Sequence, residues 1–183
     1  MKESFYMNTL SKENIIQRAV GIFHAEGSID MVKLAQAVDI DIYAKEDDDA
    51  FNSEISFDKT SNKYFIIINA NHPLVRQRFS IAHELAHYVL HYQDVQKEGQ
   101  VSREDQHQDV NKNKEDQADN LAAAMLMPEE LINGYRKDHS IERPEKMTEV
   151  VINSLAEYFK VSRTVALLRM RHLEYYVPYI TFS

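Results

Sequence analysis

The pattern of apolar and polar positions predicts two helices and then two strands in the first part of the chain. Residues 12–25 have helical periodicity that stops at Gly27, and Asp30 is expected to cap a second helix. Residues 52–57 and 64–69 are rich in strand-forming side chains, and the polar residues between them suit a hairpin turn. The pattern therefore predicts a small antiparallel sheet behind the first helices.

A long helix is predicted next, over about residues 73–92. Pro73 suits the first helical position, and no further proline and no glycine follows within the segment. Ile81, Leu85 and Val89 recur at a spacing of four, which places them on one face of the helix. This face is expected to pack against the core.

The polar and charged stretch 93–114 shows no apolar periodicity and predicts a long surface loop. Residues 115–127 are rich in strong helix formers and end at Pro128, which predicts another helix. The acidic run 46–49 is interpreted as a solvated loop.

The carboxy-terminal part predicts a pair of helices over residues 155–170 that resembles a helix-turn-helix, with Ser162 as the cap of the second helix. Arg163, Arg169 and Arg171 on that helix make DNA binding one hypothesis. The favoured alternative is an αα corner that packs on the rest of the chain through its apolar residues.

Together these elements predict an α+β fold that is mainly helical, with the small antiparallel sheet and the carboxy-terminal helical pair. Residues 1–135 are expected to form one domain, and residues 136–183 a helical region packed on it. The aromatic tail 175–183 is expected to dock on the same chain, because such apolar surface is rarely left free.

Composition excludes several classes of protein. The chain has 183 residues, 44% of them hydrophobic, which is enough for a core. The formal net charge of −8 makes DNA an unlikely partner, since nucleic-acid binding needs concentrated positive charge. There is no cysteine, so disulfides and thiolate metal sites are excluded. No apolar run is long enough to span a bilayer, so we expect no membrane partner and a cytoplasmic location.

The strongest chemical signal is the motif H-E-x-x-H inside the helix 73–92, formed by His83, Glu84 and His87. Residues four apart lie one turn above each other on a helix, so the two imidazoles can bind one metal ion. Glu84 then lies where it can act on a metal-bound water. The motif fixes only three positions in a chain with 8 histidines, so two ordinary, partly buried histidines remain the alternative.

A catalytic zinc site needs a third protein ligand and keeps its fourth position for water. Glu115 is the predicted third ligand, because it begins the helix 115–127 downstream of the motif. Asp119 lies four residues later on the same face, where it can hydrogen-bond the outer nitrogen of a ligand histidine. The alternative is a solvated acidic helix start, which the helix dipole favours.

Three other residues are weaker candidates. His91 continues the spacing of the two histidines, but a further turn carries it too far along the helix to share their metal, so local packing is expected. His107 and Asp109 lie in the polar stretch and remain outside candidates. Tyr88 is a candidate for the oxyanion or a substrate contact.

The segment 76–91, together with the helix that begins with E-x-x-A-D at Glu115 and closes on Leu126-Met127-Pro128, resembles the ImmA/IrrE family of metallo-endopeptidases. The resemblance implies a gluzincin-like, zincin-fold peptidase domain. Ala86 departs from the pattern, since family members often have glycine there, but this change is small.

By the same resemblance, Zn²⁺ is held by His83, His87 and Glu115, and Glu84 is the catalytic base. The implied substrate is an intracellular regulatory protein, commonly a helix-turn-helix repressor or an antitoxin-like partner. The competing hypothesis is a DNA-binding or partner-binding regulator in which the zinc site is structural or regulatory. Retention of Glu84 favours the peptidase.

Overall fold

The computed structural model describes residues 11–23, 27–98, 100–102, 109–141 and 148–175. These ranges contain seven helices and four strands, so the α+β, mainly helical class is confirmed. In chain order the elements are α1 (Lys12–Gly21), α2 (Met31–Gln36), β1 (Asp41–Lys45), β2 (Ser53–Asp58), β3 (Lys63–Asn69), α3 (Leu74–Glu98), β4 (Gln100–Ser102), α4 (Asp109–Leu126), α5 (Glu129–Asp138), α6 (Glu149–Phe159) and α7 (Arg163–His172).

The four strands form one sheet in the order β1-β3-β2-β4. β2 and β3 are antiparallel, as the hairpin predicts, with Ile55 opposite Ile66 and both side chains buried. β1 pairs in parallel with β3, so the sheet is mixed and the prediction of a wholly antiparallel sheet is wrong. β1 was not predicted because four of its five residues are exposed and it lacks an apolar face.

The first helix is shorter than its periodicity predicts. α1 ends at Gly21, and Phe23 forms an isolated antiparallel bridge with Ile29. The bridge places Phe23 beside Ile29, just before α2. Asp30 caps α2 by accepting a hydrogen bond from the backbone N–H of Lys33, as predicted.

The described parts of the stretch 93–114 are ordered, so the prediction of a long loop is wrong there. α3 continues to Glu98, β4 follows, and α4 already begins at Asp109. α3 kinks at His91, whose φ of −135° is not helical. Lys114 forms an ion pair with Asp94 at 2.8 Å, which ties the last part of α3 to α4.

The carboxy-terminal helices α6 and α7 are joined by a short turn in which Lys160 adopts left-handed φ. Ser162 caps α7 as predicted, and its hydroxyl accepts a hydrogen bond from the backbone N–H of Val165. Arg169 is buried and donates to the carbonyl oxygen of Met127 at the end of α4. One core cluster includes buried residues from α1 through α7, so this pair packs on the remainder of the chain.

The predicted boundary between residues 135 and 136 falls within α5, and the division into two domains stays a prediction. The aromatic tail beyond Tyr175 lies outside the described residues. In the part of the chain that the structure describes, no helix has both the length and the apolar character needed to cross a bilayer.

Gly27, in the amino-terminal part of the fold, packs against α6 in the carboxy-terminal part. Its φ is +88°, and a Cβ at this position would overlap the backbone carbonyl of Tyr158 in α6. We expect Gly27→Ala to lower the free energy of unfolding by about 2–4 kcal/mol, because backbone strain and overpacking add. Urea denaturation measures this change.

Gly134→Ala is the matched control, because this glycine is exposed within α5 and a Cβ there meets nothing within 4 Å. It should raise the free energy of unfolding by about 0.5–1 kcal/mol through helix propensity. Equal effects of the two substitutions would show that the contact between Gly27 and α6 is unimportant.

Candidate metal centre

The packing of α3 against α4 builds the site. These two helices make the most extensive contact between any pair of described elements. Small side chains line both helices near the histidines: Ala82 and Ala86 on α3, and Ala118 and Ala122 on α4, are all fully buried. Because a methyl group is the only side chain at these positions, the helices can approach closely enough for their polar groups to meet.

His83, His87 and Glu115 converge at this contact and are called the ligand cluster below. The Nε2 atoms of the two histidines lie 2.9 Å apart. Glu115 reaches both rings, with Oε2 at 3.2 Å from Nε2 of His83 and Oε1 at 3.1 Å from Nε2 of His87. Three such ligand atoms within 4.8 Å of one another are spaced to surround one cation. Among the described residues, the cluster has the composition that the sequence predicted.

Asp119 lies one turn beyond Glu115 on α4 and contacts the far side of the first histidine. Nδ1 of His83 lies 2.8 Å from Oδ1 of Asp119, so this nitrogen carries the proton and donates it to the carboxylate. Nε2 of His83 then carries a lone pair, directed at the rest of the ligand cluster. The predicted contact of Asp119 with a histidine is therefore present, whereas the catalytic role of the site residues stays a prediction.

The chemistry of the ligand cluster fits a metal ion. With its lone pair at Nε2, His83 faces Oε2 of Glu115 at 3.2 Å, a contact that is repulsive unless a proton or a metal cation lies between the two atoms. Burial alone would raise the pKa of Glu115, but hydrogen bonds and attraction from the two histidines in their protonated form outweigh it and hold this pKa far below its ordinary value. A bound cation would supply the same positive charge to neutral histidines. Two imidazoles and one ionised carboxylate are the ligand set of many catalytic zinc sites.

Glu84 is held by a residue that the sequence analysis did not identify. The hydroxyl of Ser53, the first residue of β2, donates a hydrogen bond to Oε1 of Glu84 at 2.8 Å, and both side chains are buried. The sequence carries no signal for this contact, since the two residues lie 31 positions apart and meet only because β2 packs on α3. Ser53 restricts the rotation of the carboxylate.

The other candidates lie outside the ligand cluster. The ring of His91 is 5.7 Å from that of His87, and burial, followed by the neighbouring His87 and Lys114, lowers its pKa. Tyr88 packs edge-on against Tyr64 of β3 at 4.8 Å between ring centroids. Burial is also the main reason that the pKa of Tyr88 is raised. His91 thus packs locally, as expected, and the role of Tyr88 remains a prediction. His107 and the side chain of Asp109 lie outside the described residues.

Comparison with known families agrees with this geometry. The model of a peptidase family, described as the IrrE N-terminal-like domain, matches residues 35–171. The chain belongs to this family. The match includes both helices that carry the ligand cluster, and the resemblance to the ImmA/IrrE peptidases is confirmed. Membership in a metallopeptidase family assigns the chain to the hydrolases and agrees with a metal site at the ligand cluster. No curated protein matches the chain.

The contact between Asp119 and His83 predicts a measurable effect on metal affinity. We expect Asp119→Ala to raise the dissociation constant for Zn²⁺ about 10- to 100-fold, because the orientation and basicity of His83 depend on this carboxylate. Competition with a chromogenic chelator measures the constant. Asp116→Ala, at an exposed position on the same helix, should leave it unchanged. Equal affinities of the two variants would contradict the role of Asp119.

Proposed function

We propose that the protein is a zinc-dependent endopeptidase in which the ligand cluster holds the metal and Glu84 is the general base. The observation that carries this proposal is the convergence of His83, His87 and Glu115. The carboxylate of Glu84, on the same helix as the two histidines, is held by a hydrogen bond from Ser53. A structural zinc site normally has four protein ligands, whereas the cluster found among the described residues has three. An open fourth position favours catalysis.

Zinc, when bound, would act as a Lewis acid that makes a water molecule more acidic and polarises the substrate carbonyl. Glu84 takes the proton from the attacking water and later delivers it to the leaving nitrogen as the C–N bond breaks. The hydrogen bond from Ser53 keeps one carboxylate oxygen in place through both transfers. Asp119 stabilises the orientation of His83 by accepting a hydrogen bond from its Nδ1–H.

The substrate that we propose is a regulatory protein, specifically a helix-turn-helix repressor or an antitoxin-like partner. Its support is the resemblance of the chain to the ImmA/IrrE peptidases and the formal net charge of −8, which attracts a basic, DNA-binding substrate over a long range. An intracellular regulator as substrate implies that the protein works in the cytoplasm.

The competing hypothesis of DNA binding by α7 is not favoured. Arg169 is 5% exposed and donates to the carbonyl oxygen of Met127, so it does not face the surface. Arg163 forms an ion pair with Glu149 at 2.9 Å. Of the three arginines that motivated the hypothesis, Arg171 is the one that is exposed. An αα corner packed on the core accounts for this arrangement.

The catalytic proposal is tested with Glu84→Gln and with any helix-turn-helix regulator that is found to be encoded beside the gene. The variant should bind zinc as the native protein does, but it should cleave the regulator about 100- to 10,000-fold more slowly, because the amide cannot take a proton. Glu130→Gln, at an exposed position on α5, is the control and should remain active. Bound metal and the rate of cleavage are both measured. Full activity of Glu84→Gln would falsify its role as the base.

The DNA hypothesis is tested by filter binding of duplex DNA at increasing salt concentration. With one exposed arginine on α7 and a net charge of −8, we expect no retention of DNA even at low salt. Saturable retention that weakens as salt rises would show instead that the carboxy-terminal helices bind phosphate.

A further inference from the structure

A pocket of about 460 Å³ lies between the start of α3 and the start of α7. Its walls are mainly apolar and comprise Pro73, Val75 and Phe79 from the α3 side and Val165 and Leu168 from α7. A volume of this size is within the range of pockets that bind ligands in proteins. This volume is sufficient for a leucine, methionine or phenylalanine side chain.

The pocket adjoins the ligand cluster. Asp119 lines it, and Oδ1 of the same carboxylate accepts the hydrogen bond from His83. Phe79, one turn before His83 on α3, has its ring centroid 6.1 Å from that of the histidine. One imidazole ring therefore separates the pocket wall from the place where the ligand atoms converge.

We propose that this α3–α7 pocket binds a large apolar side chain of the protein substrate, such as leucine, methionine or phenylalanine, next to the peptide bond that is cleaved. This inference rests on the proposed function and names the residue type that the peptidase selects. Successive residues of an extended chain rise about 3.3 Å each, so a side chain adjacent to a carbonyl at the ligand cluster can enter a pocket that begins one ring away.

The walls of the pocket are mainly apolar, and three of its polar residues form hydrogen bonds within the chain, which favours an apolar occupant. The carboxylate of Asp119 accepts from His83, and the guanidinium of Arg76 donates to Oδ1 of Asn52. The hydroxyl of Ser162 accepts from the backbone N–H of Val165. A charged side chain would lose its water against these mainly apolar walls, whereas an apolar one gains burial.

Binding of small hydroxamates to the zinc-loaded full-length protein tests the inference without requiring cleavage. Acetohydroxamate chelates the metal and has no side chain, so it reports on the metal centre alone. N-acetyl-leucine hydroxamate and isobutylsuccinyl hydroxamate add an isobutyl group on either side of the chelating group. Calorimetry should show that at least one of them binds roughly 10- to 100-fold more tightly than acetohydroxamate, as expected for burial of a leucine side chain.

Filling the pocket should remove this gain. Thr164 lies on the pocket wall and is exposed, so Thr164→Trp adds bulk there without disturbing the core. The variant should bind all three hydroxamates with similar affinity, and its affinity for acetohydroxamate should equal that of the native protein. Val75→Trp repeats the test from the α3 wall. Val150→Trp, at a side chain that is 73% exposed on α6, is the control and should keep the gain.

The outcomes separate the two proposals. Equal binding of all three hydroxamates by the native protein would overturn the pocket inference and leave the metal centre intact. A gain that persists in both filled variants would also overturn it. If zinc and acetohydroxamate both fail to bind, the proposed function is wrong, and the pocket inference fails with it.

Discussion

The close contact of α3 with α4 brings two imidazole nitrogens and a carboxylate together out of water, and much of the surrounding structure keeps them there. Taking charged and polar groups out of water costs several kcal/mol unless each has a partner. Asp119 binds the outer nitrogen of His83, and Ser53 binds the carboxylate of Glu84. The buried site is therefore held by a polar network that extends from the sheet through α3 to α4.

Sequence periodicity predicted the elements whose positions follow from local spacing. The two helices of the ligand cluster, the β2–β3 hairpin and the cap at Asp30 all belong to this class. β1 was missed because an exposed edge strand needs no apolar face, and its parallel pairing with β3 depends on a contact distant in sequence. The ordered parts of 93–114 were missed because polar residues can be held by tertiary contacts such as that of Lys114 with Asp94.

The same distinction applies to the site. Glu115 and Asp119 could be predicted because they are four residues apart on a helix, and residues at this spacing lie on the same helix face. Ser53 could not be predicted, since its contact with Glu84 depends on how a strand packs on α3. The α3–α7 pocket was beyond prediction for the same reason, because its walls come from helices some 90 residues apart in the chain and meet only in the folded structure.

In the proposed peptidase, the position of α7 links substrate selection to the ligand cluster. Arg169 is buried, and burial is the main reason that its pKa is lowered. Its guanidinium donates a hydrogen bond to the carbonyl oxygen of Met127, and loss of this bond would be costly because the guanidinium is buried. This bond fixes α7 to the end of α4, the helix that carries Glu115. The pocket wall and Glu115 thus lie on helices rather than on loops. Substitutions on the pocket face of α7 can therefore change which side chain is accepted while leaving the geometry of the ligand cluster intact.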